Sequence, residues 1–325
     1  MGDFVTLFEQ LKILPKVDMH INLTSSISTD LASFLMDDEN LVDVIDMMQE
    51  KNLKDYENSL KLPIKILRKK ENITLAINDL IDRLIKNNIF YGELFLDLPL
   101  YNKRIDEEKL LLNVLEVIKE RNFDLQVVLV LSSERDKELN LQTLDLYEKY
   151  YQKGVNGIYF HKDKMASVSS YMYLFDRLIK NNYPYIVKVD SKISREDNEI
   201  YLHAKRIIYS LPYIDELFLN SLRKAGIMIE IGLTRFKENN LFPDFKDYFI
   251  YDLISENTCL TLVSYDMTAL NTDIVNEWCL MFNNYPITIH DMIKIINNSI
   301  IMANISNEEK EKLILELKEK SNLVL

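Results

Sequence analysis

Any chemistry in this 325-residue chain has to come from a few polar residues set into apolar stretches. His20 and Asn22 lie two positions apart in KVDMHINL, and Lys188 and Asp190 do the same in YIVKVD. On an extended strand residues i and i+2 point the same way, so each is a same-face polar pair. Such a pair, once buried, needs hydrogen-bonding neighbours or a ligand. Glu93, Asp97, Arg135, His161, Tyr209, Glu230 and Asp266 sit in comparable places near the ends of apolar runs. Glu93 and Asp97 are an even number of positions apart and would share a face of a continuous strand, where two carboxylates can serve as acid and base. Paired with Arg135 or Lys188, Glu93 would instead be structural. His161, beside Lys162 on a loop, reads as surface polarity, and His203 and His290, on helical segments, carry no functional weight. Cys259 and Cys279 belong to no CxxC pair and read as reduced core residues.

The elements that must position these residues are legible as eight short apolar, β-branched runs: 16–23, 89–98, 125–131, 155–161, 185–190, 206–211, 227–233 and 260–267. Amphipathic helical segments fall between them at 73–86, 107–121, 139–151, 168–180, 214–224 and 245–255. Mostly apolar strands joined by crossover helices predict a parallel sheet covered on its outer face, and eight units predict closure as a (β/α)₈ TIM barrel, an α/β fold, with residues 1–325 forming one domain. A doubly wound sheet would carry a GxGxxG or P-loop after a strand, and none is present. In such a barrel reactive residues sit at the C-terminal strand ends, where the polar residues above fall. Residues 28–72 form an insertion with helices of its own, a lid or side element. Three further helices are predicted at 272–282, 289–300 and 307–320, the last opened by a capping box of Ser306 and Glu309. The aromatics Tyr147, Tyr150, Tyr151, Tyr171 and Phe175 recur at helical spacing and read as core.

A formal net charge of −12 excludes a protein that grips nucleic acid through its phosphates, which requires clustered Lys and Arg. The N-terminal stretch MGDFVTLFEQLKILPK carries charges inside its apolar run and has no signal-peptide pattern, and no run approaches a membrane span. A cytoplasmic protein without a membrane partner is expected.

Four segments then resemble, in order, the adenosine deaminase family. LPKVDMHINLTSSIS (14–28) is similar to the family's first-strand proline-lysine-valine-glutamate-leucine-histidine-x-histidine signature. YGELFLDLP (91–99), GVNGIYFHKDK (154–164) and LTLVSYDM (260–267) resemble its second, fourth and eighth strands. The resemblance implies zinc chemistry, in which histidines and an aspartate hold a metal that activates water and a glutamate shuttles the proton. Carried over residue by residue, it leaves little of that site. His20 matches the first histidine of the first strand, and Asn22 replaces the second. The fifth strand's histidine-alanine-glycine-glutamate is matched by Lys188, Val189, Asp190 and Ser191, which removes a ligand and the acid/base. Tyr209 stands at the histidine that polarises the attacking water. Tyr265 replaces the metal-binding aspartate, and Asp266 retains the neighbouring, purine-binding one. Thr24 and Lys162 replace a substrate-binding aspartate and a glycine.

The resemblance therefore implies that zinc is not bound, with His20 a residual ligand and Asn22, Lys188 and Tyr265 at lost positions, and that Ser191 and Tyr209 fill the acid/base positions. A ligand site would be lined by His20, Asn22, Thr24, Lys162, Lys188, Asp190 and Asp266, with the Lys188 ammonium near the metal's place and paired to Asp266 or Asp190. Three functions fit such a chain. One is a pseudoenzyme that binds a purine nucleoside, another small molecule or a protein. Another is a working purine deaminase or other amidohydrolase with a rebuilt site using His20, Asp190, Asp266 and a carboxylated Lys188. The third is a structural subunit, in a homo-oligomer or beside an active relative.

Overall fold

The computed structural model describes residues 7–36, 41–49, 56–101, 106–163, 166–190, 193–210, 215–238, 244–245, 249–256 and 258–322. Eight parallel strands lie in the order of the chain: β1 (Lys16–Asn22), β2 (Ile89–Leu96), β3 (Leu125–Ser132), β4 (Val155–His161), β5 (Tyr185–Val189), β6 (Arg206–Tyr209), β7 (Met228–Ile231) and β8 (Leu260–Leu262). Tyr265 closes the ring just beyond β8, its N–H donating to the His20 carbonyl and its carbonyl accepting from Asn22 N–H, both at 2.9 Å. It does so with φ of 55°, in the left-handed region. The fold is the (β/α)₈ barrel that the alternation predicts.

The strands are buried on both faces, and β2 has no exposed position along its length. The helices bury one side each; in Lys70–Lys86 the buried residues Ile73, Ala76, Ile77, Leu80, Ile81 and Leu84 repeat every three or four positions. The insertion contains helices Thr29–Met36, Leu41–Met48 and Tyr56–Leu67. Ser306 and Glu309 form the expected capping contacts ahead of the helix Asn307–Asn322.

Several boundaries differ from the sequence reading. β2 stops at Leu96, and Leu98 opens a short helix, so Asp97 is off the strand and shares no face with Glu93. β8 is only three residues long, which places Tyr265 and Asp266 on the loop beyond it. Helices Leu7–Ile13 and Arg195–His203 carry weak periodicity and went unread. The first is tied to the barrel floor by the buried Lys16 ammonium, which donates to the carbonyls of Leu11, Lys12 and Leu14 at 2.6, 3.1 and 2.5 Å. No helix among the described residues is long and apolar enough to cross a membrane.

Candidate ligand site at the barrel mouth

Inside the barrel a chain of buried charges crosses from one wall to the other. Tyr91 on β2 donates to Glu93 at 3.1 Å, Arg206 on β6 lies 2.6 Å from Glu93 and 2.8 Å from Glu230 on β7, and Glu230 meets Nδ1 of His20 on β1 at 2.7 Å. Burial works against the Arg206 guanidinium, but the two carboxylates outweigh it and hold its pKa above the ordinary arginine value. This corrects the expected partner of Glu93: it is Arg206, while Arg135 reaches over the rim to Asp97. The His20 ring stacks on Phe95 with centroids 3.4 Å apart, and the rings of Tyr265 and Tyr159 meet it edge-on at 4.6 and 5.6 Å.

Above this layer Asp266 gathers donors from three directions. Its Oδ1 accepts from Asn22 Nδ2 at 2.8 Å, Ser25 Oγ at 2.5 Å and the Tyr56 hydroxyl at 3.0 Å, and its Oδ2 pairs with Arg235. Burial pushes the Asp266 carboxyl up; the Arg235 guanidinium and the Ser25 and Asn22 donors prevail and hold it below the ordinary carboxylate range. Arg235 belongs to the short helix after β7 and lies over the Tyr56 ring, 4.6 Å from its centroid.

Asp190 is the second carboxylate of the mouth. Lys162 Nζ is 2.7 Å from one of its oxygens and Lys188 Nζ is 3.4 Å from the other. The expected Lys188–Asp190 pair is therefore present. Asp266 is not its partner, because Arg235 already fills that place. Lys162, on the loop just after β4 as expected, is buried, with its ammonium also on the carbonyls of Asp163 and Ala166.

The remaining anticipated residues are spread around these two acids. Thr24 turns to the Tyr101 hydroxyl at 2.5 Å. Tyr209 is buried, edge-on to Phe249 at 5.7 Å. Tyr265 presses on Gly232, where an added Cβ would come within 2.5 Å of its ring. Ser191 lies outside the described residues. His161 is exposed, as its surface polarity predicts, and His203 and His290 lie on helices, as expected. Tyr147 and Phe175 are buried core, and both cysteines are unbridged.

The residues that pattern reading missed are Arg206, Arg235, Tyr56 and Ser25. Arg206 had a signal, as a charge opening an apolar strand that must find a buried counter-charge. The other three sit in connections without periodicity.

A family model described as adenosine deaminase matches residues 15–320. The chain belongs to the adenosine deaminase family. An adenosine deaminase of Clostridium perfringens is 24% identical over 326 residues, covering 94% of this chain and 98% of that protein. Among solved structures, the N6-mAMP deaminase of Arabidopsis superposes with a TM-score of 0.83 at 17% identity, covering 96% of this chain and 99% of that one. An Arabidopsis relative complexed with IMP gives 0.83 at 16%, covering 98% and 100%.

The family is zinc-dependent; the motif resemblance sets His20, Asn22, Lys188 and Tyr265 at its zinc-holding positions, and the chemistry of these side chains does not fit the ion. His20 keeps the arrangement of a metal-bound imidazole, one nitrogen on a carboxylate. The other three positions offer a neutral amide committed to Asp266, an ammonium and a phenol. Among the described residues no three His, Cys, Asp or Glu side chains cluster in a way that could hold a metal. A carbamate on Lys188 would set a negative group against Asp190, now its ion-pair partner.

Proposed function

We propose that this adenosine deaminase relative binds a purine nucleoside or a related small metabolite at the barrel mouth without zinc-dependent hydrolysis. One observation carries the reading: both carboxylates of the mouth are already matched by cations of the chain itself, Asp266 by Arg235 and Asp190 by Lys162 and Lys188. A divalent ion placed beside them would meet three positive side chains. The acid/base that moves the proton contributes about 10²–10⁴-fold, and its sequence positions hold Ser191 and Tyr209. Support for retained binding comes from Asp266, at the purine-binding position, kept charged within a ring of donors, and from a structural relative solved with IMP.

The test is metal analysis of the purified protein together with adenosine turnover, with and without added zinc. Substoichiometric zinc and no inosine above background are expected, along with a rise in melting temperature with adenosine, inosine or IMP, since a ligand that prefers the native state stabilises it. Zinc-dependent inosine formation that disappears in His20→Ala would sink the proposal.

A further inference from the structure

Arg235 reaches Asp266 from a helix of only six residues, Leu233–Glu238, and something must fix its start. That something is Glu277, a buried carboxylate on the helix Ile274–Asn284 that follows the β8 loop. Its Oε2 accepts the Leu233 N–H at 2.6 Å, both its oxygens face the Thr234 N–H at 3.3 Å, and the Thr272 hydroxyl donates to Oε1 at 3.1 Å. Thr234 and Thr272 also meet through their hydroxyls at 3.2 Å. Thr272 lies on the same loop as Asp266, with Leu270 N–H on the Asp266 carbonyl and Thr272 N–H on that of Met267, both at 2.9 Å. One carboxylate thus joins the backbone that carries Arg235 to the backbone that carries Asp266. The opposite side of that ion pair is covered by Tyr56, the first residue of the insertion helix Tyr56–Leu67, with its hydroxyl on Asp266 and its ring under Arg235.

We propose that Glu277 is the positioning residue that sets Arg235 against Asp266, and that this ion pair is the catch by which Tyr56 holds the helix Tyr56–Leu67 at the barrel mouth. A ligand that is to reach Asp266 has to displace the phenol or the guanidinium, so occupancy of the site and anchoring of that helix are coupled. The inference rests on the reading of the mouth as a binding site, but its test needs no ligand, so the two can fail separately.

Amide hydrogen exchange is measured for the helix Tyr56–Leu67 in the full chain, in Arg235→Met, Glu277→Gln and the double variant, with β3 as an internal reference. Each single change is expected to speed exchange in 56–67 by about tenfold, the loss of a hydrogen bond to a charged group, and to leave β3 unchanged. Because Glu277 acts through Arg235, the double variant is expected to show no more than the larger single effect. Effects that multiply, or a Glu277→Gln that leaves 56–67 at the wild-type rate, overturn the proposal. Should Glu277→Gln loosen the whole barrel, Tyr56→Phe tests the catch from its other side. It should release 56–67 by the same factor and leave 233–238 protected; unchanged exchange in 56–67 overturns the proposal.

Discussion

Replacing Arg206 by methionine removes the guanidinium that bridges two carboxylates that stay buried. The guanidinium is 2.6 Å from Glu93 and 2.8 Å from Glu230, and all three side chains are at most 5% exposed. Breaking a single buried pair costs about 3–5 kcal/mol, most of it the penalty for the charge left behind. Here two charges are left, facing each other across the barrel. The loss is bounded because a stranded carboxylate can take up a proton, so Arg206→Met should cost about 4–6 kcal/mol at pH 7.5. That is on the order of half the stability of a typical domain. Proton uptake is easier in acid, so the loss should be smaller at pH 5. Arg206→Lys keeps the charge without the fork and should cost about 1–3 kcal/mol. Adding Glu93→Gln and Glu230→Gln to Arg206→Met should recover much of the loss. Urea denaturation followed by circular dichroism at both pH values reads these differences. A cost below about 1 kcal/mol, or one equal at the two pH values, would refute the account of the interior as a charge-balanced network.

The two lysines of the mouth should separate in the same assay. Lys162→Ala, which empties the closer and more buried contact to Asp190, is expected to cost about 3 kcal/mol, and Lys188→Ala, 23% exposed and 3.4 Å away, about 1 kcal/mol. Equal costs would show that the pair does not share Asp190 in this way. Burial also pushes Asp18 and Glu277 up to about 7. The sign is opposite to that of a salt-bridged acid, because the native state holds its protons where the unfolded chain has released them. Stability should therefore fall as pH rises to about 7, starting from about 4 for Asp18 and about 4.5 for Glu277, by up to about 3 kcal/mol for each group. A stability profile that is flat or rising over that window would contradict it.

The barrel was legible because a parallel strand buried on both faces is a continuous apolar run, as in β2, whereas its covering helices show one-sided periodicity. Strand ends were not, since burial continues past the last ladder bond. Leu98 is buried as the first residue of a helix, and Ser264–Met267 are buried on a loop. In the site, Asn22, Lys188 and Tyr265 could be singled out as expected ligand positions because the resemblance orders its motifs along the chain. Their partners were not. Tyr56 and Asp266 are 210 residues apart in the chain, and no local pattern joins them. Of the two partners expected for the Lys188 ammonium, Asp190, its neighbour by strand parity, is the one it meets, while Asp266 pairs with Arg235, whose helix carries no strand signal.

The proposed absence of zinc can be tested by rebuilding its site. A structural or catalytic zinc takes three or four protein ligands in tetrahedral array, and on the family resemblance this chain keeps one of them, His20, with Nδ1 on Glu230. Any single change among Asn22→His, Lys188→His and Tyr265→Asp raises the count only to two, so none alone should bind zinc stoichiometrically. The three together supply four donors. They also remove the amide from Asp266, the ammonium from Asp190 and the ring packed on Gly232. Tyr265→Asp suits its backbone as well, because aspartate tolerates the left-handed region better than tyrosine does. The triple variant is expected to retain about one zinc per chain after dialysis, by mass spectrometry of the metal, and still to leave adenosine unconverted, since Ser191 offers no carboxylate to move the proton. Adding Ser191→Glu should then be required for any inosine to form. Zinc retained by the unmodified chain or by a single variant would mean that other groups complete the site, and the reading of these positions as a metal centre replaced by fixed charges would fall.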